Sequence, residues 1–179
     1  MGRVLLVVLA LNSLLAATIW ESAFIKSLRA TQRSALAWVR HNTARSSTFV
    51  VITSAGWTGD DVEEWFAALT DRRSLTTVQG YEWIPRAFRR QYDRDRAIQR
   101  CATRSSACVV RVMRQKHIEA QYIFVAKAPV QVGRRPIGAV LPQPYLIRDC
   151  CQRLRASLDH DPRVARVYNG PGASIYRLR

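Results

Sequence analysis

Residues 62–83, VEEWFAALTDRRSLTTVQGYEW, carry the densest set of local structural signals in the chain. The first half predicts a helix, because apolar residues recur there at helical spacing and would form one face. The second half predicts a strand, because residues 74–79 form a β-branched run that ends at Gly80. The residues of the apolar helical face are Val62, Trp65, Phe66 and Leu69. These patterns indicate a helix, a turn and a strand, but they indicate no reaction.

The elements before this stretch extend it to a βαβ pattern. Residues 48–54, TFVVITS, are a continuous apolar run rich in β-branched residues, which is typical of a strand covered on both faces. Residues 27–43 have the spacing of an amphipathic helix. A helix between two strands predicts a parallel sheet. We therefore expect an α/β fold, a Rossmann-like three-layer domain with a mostly parallel sheet.

The chain after Trp83 is predicted to end in an antiparallel hairpin, because residues 164–168 and 174–178 flank the turn sequence NGPGA. Residues 130–144 hold three prolines and two glycines and therefore predict a long loop. The other predicted elements are a helix over 86–100, a helix over 109–117, a strand over 120–126 and a helix over 145–158.

The composition limits the class of protein. A chain of 179 residues with 48% hydrophobic content suffices for one ordinary core and one soluble domain. Its 28 lysines and arginines against 13 acidic residues give a net charge of +15, which attracts nucleic acid, anionic lipid head groups or phosphate-bearing lipid carriers. Arginine supplies nearly all of this charge, and a general preference for arginine in a GC-rich genome would produce the same excess.

Residues 4–20, VLLVVLALNSLLAATIW, carry no charge and predict a membrane helix. At the helical rise they span ~25 Å, and Trp20 suits an interfacial anchor. A cleaved signal peptide with Arg3 as its basic start is the alternative, but the segment lacks a clean small-x-small cleavage site. The predicted division is a transmembrane helix over 1–25 and a soluble α/β domain over 26–179.

The four cysteines predict disulfides more strongly than a metal site. Cys101, Cys108, Cys150 and Cys151 include a vicinal pair that does not suit one tetrahedral ion. Cys101 pairs either with Cys108 or with one of the vicinal pair, and in a reducing compartment all four would be thiols.

The acidic residues near the central stretch are better explained by helix capping and solvation than by catalysis. They are Asp60, Asp61, Glu63 and Glu64. Glu82 is the exception, because it follows the end of a predicted strand, where ligands of open α/β sheets bind. Residues 56–59, GWTG, lack both the dinucleotide-binding fingerprint and the Walker lysine, so no cofactor is predicted. We expect no complete catalytic site, and we expect substrate-binding residues around one end of the sheet. The candidates are Trp57, Asp60, Arg72, Arg73, Glu82 and Trp83.

Two segments carry a family resemblance. EWFAALTDRRS and TVQGYEW, followed by an amphipathic helix into Cys101, form the first, and CCQRLRASLDHDPRVARVYNGPGASIYRL forms the second. Together they resemble the extracytoplasmic C-terminal domain of bacterial polytopic membrane glycosyltransferases, the lipid-phosphate-sugar-dependent enzymes related to protein mannosyltransferases. The resemblance extends over residues 28–178.

The resemblance implies an accessory role for the domain at the outer face of the inner membrane. It would support the handling of a glycan acceptor or a lipid-linked sugar beside the membrane domain of a larger glycosyltransferase, of which this chain would be a truncated or partial form. The family's acidic catalytic residues belong to a membrane-domain loop with no counterpart here. The arginines after Trp20 favour a cytoplasmic domain, but whole domains translocate largely regardless of charge.

The alternative function is a membrane-tethered basic module that binds anionic lipid or nucleic acid. Nucleic acid is the less favoured partner, because the chain has no long basic block.

Overall fold

The structure is a computed structural model that describes Val4 and residues 6–13, 28–55, 57, 61–127, 129–132 and 146–179. Its labelled helices are α1 (Ala30–Asn42), α2 (Asp61–Thr70), α3 (Pro85–Gln99), α4 (Ser106–Gln115) and α5 (Gln152–Asp159). Its strands are β1 (Thr48–Ile52), β2 (Arg73–Ser74), β3 (Tyr122–Ala126), β4 (Pro129–Val132), β5 (Leu146–Asp149), β6 (Val164–Asn169) and β7 (Ala173–Leu178). The predicted α/β class is confirmed.

Five strands form the main sheet in the order β2-β1-β3-β7-β6. β1 pairs in parallel with β2 and with β3, as the βαβ pattern predicts. β7 is antiparallel to both β3 and β6, and β6 with β7 forms the predicted C-terminal hairpin. The sheet therefore has a parallel half and an antiparallel half.

Helices cover both faces of this sheet, which gives three layers. The apolar run in β1 alternates between two cores, because successive side chains of a strand point to opposite faces. Phe49 and Val51 pack with α1 and α2, whereas Val50 and Ile52 pack with α3, α4 and α5. Residues 49–52 are fully buried, which explains the unbroken apolar run.

The predicted strand over 74–79 is wrong beyond its first residue. β2 ends at Ser74. After it, the side chain of Thr76 makes hydrogen bonds to β1 that strand backbone would otherwise make. Thr76 Oγ1 accepts a hydrogen bond from the Val51 N–H at 3.1 Å and donates to the Val51 carbonyl at 3.4 Å. Gln91 Nε2 donates to the Leu75 carbonyl at 2.7 Å. Thr76 therefore acts here through its side-chain hydroxyl group rather than as strand backbone.

Two further predictions need correction. Residues 130–132 of the predicted loop belong to β4, which pairs antiparallel with β5 in a separate two-stranded sheet. The predicted helix over 145–158 is wrong in its first part, because β5 occupies 146–149 and α5 begins only at Gln152. Leu154 and Leu158 follow helical spacing and are both buried, so the second part of the predicted helix is confirmed.

The predicted transmembrane helix over 1–25 falls mainly on residues 1–3, 5 and 14–25, which lie outside the described residues. Residues 6–13 are helical. Among the residues that the structure describes, no helix has the length and apolarity needed to cross a bilayer.

Candidate functional site

The carboxyl end of β1 is held by one side chain from α3. Gln99 Oε1 accepts hydrogen bonds from the backbone N–H groups of Thr53 at 2.9 Å and Ser54 at 3.0 Å. Gln99 Nε2 donates to the Val51 carbonyl at 3.0 Å. Polar backbone groups that leave the sheet at this point therefore gain partners from α3. This places the last two turns of α3 against the end of β1.

One turn before Gln99, α3 carries a buried acid. Asp95 is only 2% exposed, and its Oδ1 has no hydrogen-bond partner within the described part of the chain. Burial raises the pKa of Asp95 to about 6, although hydrogen bonds with the Gln99 and Glu63 side chains act in the opposite direction. Within the described residues, this carboxyl oxygen is therefore a hydrogen-bond acceptor without a donor, beside the end of β1.

These residues line an open cleft of about 450 Å³. The volume lies within the range typical of small-molecule sites, roughly 300–1,000 Å³. Its walls combine aromatic rings, one buried carboxyl group and two guanidinium groups on exposed residues. The lining residues are Ser54, Ala55, Trp57, Tyr92, Asp95, Arg96, Gln99 and Arg100.

An aromatic cluster shapes one wall of the cleft. The Trp57 ring packs edge-on against Phe88, with centroids 4.9 Å apart, and against Tyr92 at 6.3 Å. Phe88 and Tyr92 lie one helical turn apart on α3 and stack on each other at 6.0 Å. Because such rings have few rotatable bonds, they fix the wall, and they offer apolar surface of the kind on which sugar rings stack.

The backbone at this end of β1 is unusual at Ser54. Ser54, which lines the cleft, has a φ of 66°, a left-handed conformation that is uncommon for residues other than glycine. Cys150 Sγ lies 3.1 Å from the carbonyl oxygen of Thr53. Such backbone conformations cluster at ligand sites, where the surrounding structure holds them in place.

The cysteines predicted to form disulfides do so. Cys101 bonds to Cys108, which closes the short loop between α3 and α4. Cys150 bonds to its neighbour Cys151, the N-cap residue of α5. All four cysteines pack in the core under α3, α4 and α5, so both disulfides stabilise the layer that builds the cleft.

The predicted substrate-binding residues do not lie together. Trp57 lies in the cleft at the carboxyl end of β1. Arg72 and Arg73 lie at the opposite end, because Arg73 pairs with Thr48 at the start of β1. The expectation that these three residues surround one end of the sheet is therefore wrong.

Arg72 is engaged in the fold itself. It is 8% exposed, and its guanidinium donates to the carbonyl groups of Arg40 and Thr43 at 2.7 and 2.6 Å. It also donates to Thr43 Oγ1 and to the carbonyl groups of Thr70 and Asp71. These acceptors belong to the C-terminal ends of α1 and α2, so Arg72 joins two helix ends that would otherwise expose unpaired carbonyl groups.

The remaining candidates have separate environments. Glu82 Oε2 accepts a hydrogen bond from the Gly80 N–H at 2.6 Å, which closes a tight turn before α3. Trp83 is 89% exposed at the start of α3 and is absent from the cleft lining. Asp60 lies outside the described residues. Glu63, expected to be solvated in a first helical turn, is buried beside Asp95.

Four residues of the cleft were not predicted from the sequence, namely Asp95, Arg96, Gln99 and Arg100. The signal for Asp95 was present, because Gln91, Asp95 and Ile98 follow helical spacing and all three are buried. A carboxyl group on the core face of a helix is uncommon, since acidic residues are rarely fully buried without partners. Phe88, Tyr92 and Ile98 of the same helix also follow helical spacing, and as apolar residues they give the stronger signal.

The cleft has the chemistry of a binding site for a ligand with hydroxyl groups and negative charge. Asp95 Oδ1 can accept from a hydroxyl group, the aromatic wall can contact a sugar face, and Arg96 and Arg100 can pair with a phosphate. Within the described ranges, no group of three or more His, Cys, Asp or Glu side chains is placed to hold a metal ion. Comparisons of the chain with protein-family models, with curated proteins and with solved structures gave no significant match.

Proposed function

We propose that this chain is the accessory, extracytoplasmic domain of a membrane glycosyltransferase, tethered by a membrane helix within residues 1–25. In this role the cleft at the carboxyl end of β1 binds the phosphate-sugar head of a lipid-linked donor. The domain supplies binding and orientation, and the catalytic acid or base belongs to the membrane part of the enzyme. The enzyme class and the outer location come from the resemblance in residues 28–178.

One observation carries the ligand chemistry: the cleft places an aromatic wall, a buried carboxyl oxygen and two guanidinium groups around one volume. Each group matches a different part of a phosphate-linked sugar. Trp57 offers a stacking surface for the ring, Asp95 accepts from a hydroxyl group, and Arg96 with Arg100 balances the phosphate. Ligands of open α/β sheets characteristically bind at the carboxyl ends of the strands, which is where this cleft lies.

The two disulfides support an extracytoplasmic location. Disulfides form and persist in oxidising compartments, whereas cytosolic thiols are kept reduced. The bond between Cys101 and Cys108 follows α3 directly, so the helix that lines the cleft would depend on that compartment.

Equilibrium binding to the purified full chain tests this proposal. The probes are a short-chain isoprenyl phosphoryl mannose, the same isoprenyl phosphate without sugar, and mannose alone. We expect the sugar phosphate to bind most tightly. Replacing both cleft arginines (Arg96→Gln with Arg100→Gln) should weaken binding of the two phosphate probes by about tenfold or more, because charge-assisted hydrogen bonds are lost.

The matched control is Arg111→Gln with Arg114→Gln, which removes the same charge from exposed positions on α4 outside the cleft. Equal weakening by both double variants would assign binding to net charge and contradict the proposed site. Equal affinity for all three probes would contradict the proposed ligand class.

A further inference from the structure

A large apolar pair projects from the molecule at the start of α3. Trp83 is 89% exposed and its neighbour Ile84 is 57% exposed. Exposed apolar surface bordered by charged residues is a candidate interaction surface. Tryptophan in particular favours the boundary between lipid head groups and acyl chains.

A stripe of arginines continues from this pair along the outer face of α3. Its positions follow helical spacing, so they lie on one side of a helix that is about 22 Å long. All of them are exposed, and Asp93 is the single acid among them. The arginines of the stripe are Arg86, Arg89, Arg96 and Arg100, with Arg90 beside them.

These arginines have no ion-pair partner among the residues that the structure describes, where the pairs are Arg45–Asp71, Arg163–Asp161 and Arg166–Asp159. Near Trp83 the surface forms a depression of about 620 Å³ lined by Pro85, Arg86, Arg89, Arg90 and Asp93. The surface of this depression is mostly apolar, with three arginines and one acid among its residues. It therefore suits the boundary between acyl chains and phosphate head groups, which guanidinium groups can bind.

The opposite layer provides a contrast within the same molecule. Trp65 on α2 is also exposed, at 51%, but the first turn of its helix has two partly exposed acids, Asp61 and Glu64. An exposed tryptophan next to acids is repelled from an anionic surface, whereas one next to arginines is attracted to it.

We propose that α3 docks on an anionic phospholipid bilayer, with Trp83 and Ile84 in the interface and the arginine stripe against the head groups. Apolar insertion and attraction to anionic lipid reinforce each other in this arrangement. The surface shares Arg96 and Arg100 with the cleft, but Trp83, Ile84 and the arginines of the first turns of α3 lie outside the cleft lining. The docking is therefore tested through Trp83, Arg89 and Arg90 alone, whether or not the cleft binds a lipid-linked sugar.

The test uses the full chain on vesicles and follows Trp83 itself, so that association through residues 1–25 does not contribute. Brominated lipids quench tryptophan that enters the interface. The signal of Trp83 is the difference in quenching between the wild-type chain and Trp83→Phe, and Trp65→Phe gives the same difference for the opposite layer. The vesicles are either rich in phosphatidylglycerol or made of phosphatidylcholine alone.

We expect Trp83 to be quenched severalfold more on phosphatidylglycerol than on phosphatidylcholine, with Trp65 unaffected by the lipid. Replacing Arg89 and Arg90 together by glutamine should bring that ratio to about one, because each arginine near the surface contributes to attraction. The charge-matched control, Arg40→Gln with Arg177→Gln, alters exposed positions outside this layer and should keep the ratio.

Three results would overturn the docking surface. They are equal quenching of Trp83 on both lipids, equal quenching of Trp65 and Trp83, and loss of the ratio in the control variant. Quenching that is absent on both lipids, together with duplex DNA binding that depends on Arg89 and Arg90, would assign the surface to nucleic acid instead.

Discussion

Each end of the parallel strands has a buried charged residue nearby. The two residues differ in whether their hydrogen-bonding groups have partners. At the amino end, Arg72 directs its guanidinium to five acceptors on the ends of α1 and α2. At the carboxyl end, Asp95 keeps Oδ1 without a partner in the described structure and faces a cleft. A buried charge whose hydrogen bonds are all made is compatible with a purely structural role, whereas a buried acceptor without a partner calls for an explanation. We interpret Asp95 Oδ1 as a ligand-binding group for this reason.

We expect the largest loss of stability when the Arg72 guanidinium is removed from the amino end of the strands. Arg72→Met keeps much of the side-chain volume but leaves several carbonyl groups without donors. We expect the free energy of unfolding to fall by about 3 kcal/mol, because unpaired buried acceptors are costly. Denaturant unfolding measures the loss.

The neighbouring Arg73→Met is the control, because Arg73 is exposed and begins β2. It should change the free energy of unfolding by less than about 0.5 kcal/mol. Equal losses for the two variants would show that Arg72 does not join the helix ends as described.

At the carboxyl end the expected effect on stability has the opposite sign. The pKa of Asp95 is raised from 3.8 to about 6 by burial, so the folded state binds a proton more tightly than the unfolded state. Stability therefore falls as the pH rises from about 4 to about 6, and it stays lower above that window. Asp95→Asn removes this charge and should raise the free energy of unfolding at neutral pH, on the order of 2 kcal/mol.

The comparison is made by unfolding both forms across the acid range. Wild type should lose stability relative to Asp95→Asn as the pH rises through the window, and the two should converge at low pH. If the asparagine variant is less stable at neutral pH, the Asp95 carboxylate makes stabilising hydrogen bonds in the folded protein. That result would contradict its assignment as a ligand-binding group.

The smallest effect concerns the side chain that replaces the strand after β2. Thr76→Val preserves shape but removes the hydroxyl group that bonds to both backbone groups of Val51. We expect a loss of about 1 kcal/mol, as for one buried hydrogen-bonding partner. Thr103→Val, at an exposed position between α3 and α4, provides the control and should be close to neutral.

The contrast between the two ends also explains which features could be predicted. Local signals predict the three-layer fold and the hairpin. They are the apolar runs in β1 and β3 and the turn sequence NGPGA. Residues 74–79 could not be assigned correctly, because a threonine that hydrogen-bonds to a distant backbone has the same local pattern as a strand residue.

The site was harder to predict than the fold. Arg72 and Trp57 are both near a strand end in sequence, but which end depends on the direction of the strand and on tertiary contacts. Asp95 shares the buried face of α3 with Gln91 and Ile98. Two of these three side chains are polar, so the sequence gives that face a weak apolar signal. Its environment depends on Gln99 bonding to the end of β1, a contact between residues 46 positions apart.

Hydrogen exchange of the full chain with and without the short-chain isoprenyl phosphoryl mannose tests the central claim, that the carboxyl end of the sheet is the ligand site. We expect slower exchange at the amides of Ala55, Trp57 and the second half of α3, with no change around Arg72 and Arg73. Protection confined to the amino end, or no protection anywhere at a ligand concentration that saturates binding, would contradict it.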